Sequence, residues 1–148
     1  MAKLHPWLDV STYPILVARY PANSNSPEAA VEVENFYDAF CDWASRSEAP
    51  YTVIADTTLI KTMPSALVRA AVARGEARTA AFEARRNKGT AIVVANHITR
   101  GVATAVYWLS PPAYPTRMVA TFDAALAWVL SRLEDEGLRR PAELPRAV

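Results

Sequence analysis

Two periodicities alternate along this chain. Short β-branched runs are separated by longer stretches in which apolar residues recur every three or four positions. Residues 13–20 predict a strand, with Pro14 at its beginning, where a missing N–H is tolerated. Residues 7–11 can supply a short strand before it, turning back near Thr12 and Tyr13. Ser26-Pro27-Glu28 is a helix start: Ser26 caps, Pro27 suits the first turn and Glu28 complements the dipole. Ala29, Val33, Phe36, Phe40 and Ala44 follow at helical spacing and mark one face as core.

Residues 51–55 predict the next strand, which ends in Asp56-Thr57-Thr58. Pro64-Ser65 opens a long helix to about Arg86, and Asn87-Lys88-Gly89 stops it, with Gly89 where a left-handed C-cap favours glycine. Residues 90–95 are apolar on both faces, as in a central strand covered from both sides. After Asn96-His97 a third helix carries Ile98, Val102, Ala105, Val106 and Leu109, and the proline-rich run 110–115 breaks it. Residues 118–121 form a last short strand. Asp123 then lies in the first turn of a final helix, whose buried stripe is Leu126, Val129, Leu130 and Leu133.

Strands alternating with helices predict a single α/β domain with a mainly parallel sheet of about four to five strands. The expected division is an N-terminal segment over residues 1–12, the domain over 13–137, and a flexible, proline- and charge-rich tail over 138–148.

Composition narrows the function classes. A chain of 148 residues, 51% hydrophobic and 21% charged, fits one globular domain. A net charge of +1 offers no global field for nucleic acid or an anionic membrane. The lone cysteine, Cys41, rules out an internal disulfide and a multi-cysteine zinc site, and reads as a buried thiol acting as a small hydrophobe. His5 and His97 lack the close spacing of metal ligands. The opening residues 1–7 lack the apolar stretch of a signal peptide, and no run of about 18 apolar residues exists to span a bilayer. The expectation is a cytoplasmic protein without a cofactor, a metal, a nucleic-acid partner or a membrane.

The order of elements, Asp56 at the end of a strand, the helix that follows within about ten residues and the closing Ala124-Ala125-Leu126-Ala127-Trp128 resemble STAS domains. The nearest branch is the anti-sigma factor antagonist (SpoIIAA-like) group, over roughly residues 7–138. The resemblance implies a non-enzymatic regulatory module that binds a protein partner or a small anionic or apolar ligand. It also implies a phosphorylated hydroxyl at the start of the helix after the Asp-bearing strand, where Ser65, or Thr57 and Thr58, stand. The family's Asp-Ser-Ser/Thr-Gly run is replaced here by Met63-Pro64-Ser65-Ala66.

In an open parallel sheet, ligands bind outside the strands' carboxyl ends. That rim should gather residues 23–26, Asp56, Thr57, Thr58, Ser65, Asn96, His97 and residues 121–123. Helix N-termini there suit an anion, although the same residue types also serve as plain caps and turns. The alternative reading is a small-molecule-binding protein or an enzyme using Asp56 and His97, with His97 as acid or base. No nucleophile partner stands at a familiar spacing. Two charge stripes complete the candidates: Glu34, Asp38 and Asp42 on the first helix, and Arg74, Arg78 and Arg85 on the second. They can pair within the fold or between copies, and a homodimer is the expected assembly.

Overall fold

The computed structural model describes residues 4–23, 25–109 and 111–148; Ser24, Ser110 and the side chain of Leu109 lie outside the described residues. The elements run β1 (Leu8–Asp9), β2 (Ile15–Arg19), α1 (Pro27–Ala44), β3 (Tyr51–Asp56), α2 (Ala66–Arg86), β4 (Asn87–Val93), α3 (His97–Leu109), β5 (Thr116–Val119) and α4 (Phe122–Asp135). They form one five-stranded sheet in the order β1-β2-β3-β4-β5. β1 is antiparallel to β2, with Leu8 opposite Ala18, and the other neighbours are parallel. The chain is therefore a single α/β domain.

Three crossovers stepping across the sheet in one direction place α1, α2 and α3 on one face, which leaves the other face to α4. The pleat divides the strands accordingly. Ile15, Val17, Ile54, Ala91 and Val93 pack against Phe122, Ala125, Val129 and Leu133 of α4. Leu16, Ala18 and Tyr51 point the other way, into a cluster with Phe36, Tyr37 and Phe40 of α1 and Val68 and Ala71 of α2. The helix starts follow the predicted caps: Ser26, Ser65 and Thr121 each accept a backbone N–H in the first turn.

Three expectations need correction. Gly89 is not a helix cap, because Asn87 has extended backbone and α2 passes directly into β4. A Cβ at Gly89 would meet Arg132 Cγ at 2.9 Å and the Trp128 ring at 3.2 Å, so glycine is needed there for the approach of α4. The middle strand of the sheet is β3; β4, in which residues 90–93 of the predicted strand fall, lies next to the edge. The third helix is not a core helix. Ile98 and Ala105 are exposed, Val102 and Val106 are half-buried, and Thr99 is its one buried side chain among the described residues.

Residues 138–148, expected as a flexible tail, hold no helix or strand but do contact the domain. Leu138 packs against the α4 core, and the Arg146 carbonyl accepts a hydrogen bond from Arg19 Nη2.

Candidate functional site

The strand-end rim forms, but its groups satisfy one another. Thr58 donates its N–H to Asp56 Oδ1 at 2.9 Å, and its hydroxyl donates to the same oxygen. Thr57 Oγ1 donates to the Val93 carbonyl at 2.5 Å. Ser65 Oγ accepts the Val68 N–H at 3.3 Å as the cap of α2. Asn96 Oδ1 accepts the Thr99 N–H at 3.0 Å, while its Nδ2 donates to the Ile60 carbonyl at 2.9 Å. His97 is exposed at the first turn of α3. These six residues share one edge of the sheet, and only Thr57 also lines the cavity described below.

The charge stripes close on each other within one chain. Arg74 Nη2 lies 2.6 Å from Glu34 Oε1, and Arg78 Nη1 lies 2.7 Å from Asp38 Oδ1. Asp42 instead pairs with Arg46, just past the end of α1, and Arg85 reaches Glu48 at 3.6 Å. The first two pairs bridge α1 and α2, supplying the complement that a second copy was expected to supply. Cys41 is half-buried on α1. His5, in the N-terminal segment, is buried and holds Glu32 Oε2 at 2.8 Å. Among the described residues no group of three or more His, Cys, Asp or Glu side chains could hold a metal ion.

The feature the sequence did not announce is the space beneath α3. A cavity of about 240 Å³ lies between the sheet and α1, α2 and α3, walled by Leu16, Val53, Ile92 and Val94 on the sheet side, by Phe36 and Phe40 of α1, and by Val102, Ala103 and Val106 of α3. A second recess, about 700 Å³, lies along the seam of α2 and α3 and reaches Pro111, Pro112 and Ala113. The two share Arg69, Glu76, Glu83, Val102, Val106, Tyr107 and Tyr114 as walls.

Two carboxyl groups stand in those shared walls. Glu76 and Glu83 are seven residues apart on α2, two turns, and so lie on one face. Tyr37 Oη donates to Glu76 Oε1 at 2.8 Å, reaching over Gly75, where an added Cβ would stand 2.1 Å from the ring. Tyr51 Oη donates to Glu83 Oε1 at 2.8 Å. Burial raises the pKa of Glu76 above the ordinary carboxylate range. Burial, reinforced by the charge of Glu76, pushes Glu83 up to about 7 against the help of Tyr51, Tyr114 and Asn87. Burial likewise raises the hydroxyls of Tyr20, Tyr107 and Tyr114, which also line the space.

No protein-family model, curated protein or solved structure matches this chain. The cavity's walls are apolar along most of their length, with the two acids on α2 and the tyrosines spread over the end of β2, α1, α3 and the loop after it. That is the composition of a small-molecule pocket, in which a few placed polar groups fix orientation. The sequence signal was weak but present: Val68, Ala71, Gly75, Thr79 and Glu83 form the buried stripe of α2, and a glutamate on such a stripe is unusual.

Proposed function

We propose that the protein is a non-enzymatic binding module with a regulatory role, which takes up a small, mainly apolar molecule beneath α3. The observation that carries this reading is the cavity itself: an apolar chamber whose roof is a helix burying a single side chain among those described. Such a roof is loosely held and can yield to an entering molecule. The STAS-like order of elements supports the same reading, since it implies a module that binds apolar or anionic ligands or protein partners. Between those ligands the walls favour the apolar one, because most of the lining is apolar and its two carboxyl groups, once ionised, would repel an anion. The rim hydroxyls are engaged in caps and turns, so phosphate capture at Ser65 is the weaker use of this fold.

Calorimetric titration with phenylbutanol, a neutral aryl alcohol, tests the reading. Wild-type protein should bind it with a negative heat-capacity change, the mark of apolar burial. Ala103→Phe, which fills the chamber from α3, should abolish binding without lowering the melting temperature. Asp56→Ala, at the rim, should leave the affinity within about twofold. Equal binding by the wild type and Ala103→Phe would refute the cavity as the site.

A further inference from the structure

The chamber's charge is one-sided, which bears on what it binds. Glu76 and Glu83 line it, and neither forms an ion pair among the described residues. Glu83 is only 5% exposed, and the groups that hydrogen-bond it, Tyr51 foremost, are neutral. The nearest cation along the helix is committed elsewhere: Arg86 donates to the Ala44 carbonyl at 2.8 Å and to the Ala49 carbonyl at 2.9 Å. Its guanidinium also lies 5.5 Å from the Trp43 ring and 5.3 Å from the Tyr51 ring. Arg69, the one basic side chain in the walls, is exposed and donates to the Pro64 carbonyl. Arg86 is buried, with Nη2 lacking a hydrogen-bond partner, but it stands outside the walls; among the described residues the walls therefore hold two acids and, apart from Arg69, no base.

The other polar groups around the chamber are phenols. Tyr20, Tyr37, Tyr107 and Tyr114 line it, and Tyr51 adjoins it through Glu83. Tyrosine rings attract cations through their electron-rich faces, and more strongly where water is excluded. A carboxylate held in an apolar chamber is likewise stabilised by an opposite charge at close range.

We propose that the molecule bound beneath α3 is a hydrophobic monoamine, with its ammonium group beside Glu76 and Glu83 and its hydrocarbon part against the apolar walls. This rests on the binding reading above and adds the ligand's charge. Once the acids ionise, at mildly alkaline pH, a carboxylate ligand meets like charge and a neutral one leaves the acids without a counterion.

The test compares three molecules on one skeleton, phenylbutylamine, phenylbutanol and phenylbutyrate, by calorimetric titration of the full chain at mildly alkaline pH. The amine should bind about tenfold or more tighter than the alcohol, and the carboxylate more weakly than both. Glu76→Gln/Glu83→Gln should shrink the amine's advantage over the alcohol to less than about twofold. Glu76→Gln alone, at the less buried position, should cut it in part and serves if the double variant is poorly folded. An alcohol that binds as tightly as the amine, or an amine preference that survives the double substitution, overturns the monoamine assignment alone. If none of the three binds, the cavity reading falls with it.

Discussion

The two faces of the sheet are built from the same strands and behave differently. On the α4 face, Ala125, Val129 and Leu133 are fully buried against Ile15, Val17 and Ile54, themselves fully buried. On the opposite face, α1 and α2 pack well, but α3 stands over a chamber and leaves Trp108 83% exposed. One face is a filled core and the other is a core with a place left open. The difference lies in the residues offered. α4 presents Phe122, Ala125, Val129 and Leu133, all apolar, whereas the buried stripe of α2 includes Thr79 and Glu83, and Gly75 there makes room for the Tyr37 ring. Small and acidic side chains on a buried stripe cost stability, and that pattern fits a site better than a scaffold.

The sharpest way to break this comparison is to delete similar bulk from each face. Leu133→Ala removes a fully buried side chain from the α4 core and should cost about 2–5 kcal/mol, measured by chemical denaturation. Val106→Ala on the roof helix should cost less than about 1 kcal/mol, because the space beside it is already open. Similar losses at the two sites would mean that α3 packs as tightly as α4.

The acids on the open face give a pH signature of the same order. Glu83 titrates near 7 in the folded chain and should titrate near 4.5 when unfolded, so between those values the folded state holds a proton that the unfolded state has released. Its contribution to stability is therefore complete below about pH 4.5 and is lost as pH rises to about 7, on the order of 3 kcal/mol. Glu76, which is also raised, acts in the same direction. The other groups facing Glu83 are the phenols of Tyr51, Tyr107 and Tyr114, whose hydroxyls are raised and stay neutral in this range. Denaturation series should show Glu83→Gln gaining on wild type as pH rises through this window. A constant difference would remove Glu83 from the interior.

The rim should have the smallest effect on ligand binding. Ser65→Ala loses the cap of α2 and should cost about 1 kcal/mol without changing ligand affinity. A change in affinity larger than the change in stability would move function back to the strand ends.

The elements were legible because local chemistry and tertiary packing agree at them. Ser26-Pro27-Glu28, Pro64-Ser65 and the run after Asn96 each begin a helix where their residue types require, and residues 51–55 fall in β3. Gly89 misled because glycine after a long helix is also what a close helix–strand approach needs, and only the position of Trp128 and Arg132 separates the two. Asp56, Thr57, Thr58, Ser65 and Asn96 were placed on the right edge, yet sequence cannot say whether a hydroxyl turns toward a ligand or toward its neighbour. The chamber was hidden for a related reason. Val102 and Val106 carry the pattern of a core helix, and a helix resting on a cavity has the same pattern as one resting on side chains.

The account stands or falls on where a ligand touches the protein. Titrating labelled protein with phenylbutylamine while following backbone amide resonances measures this directly. The account predicts shifts concentrated at Glu76, Thr79, Glu83, Ile92 and residues 102–107, with little change at Asp56, Ser65 or His97. Shifts centred on the rim, or spread evenly over the surface, would contradict it.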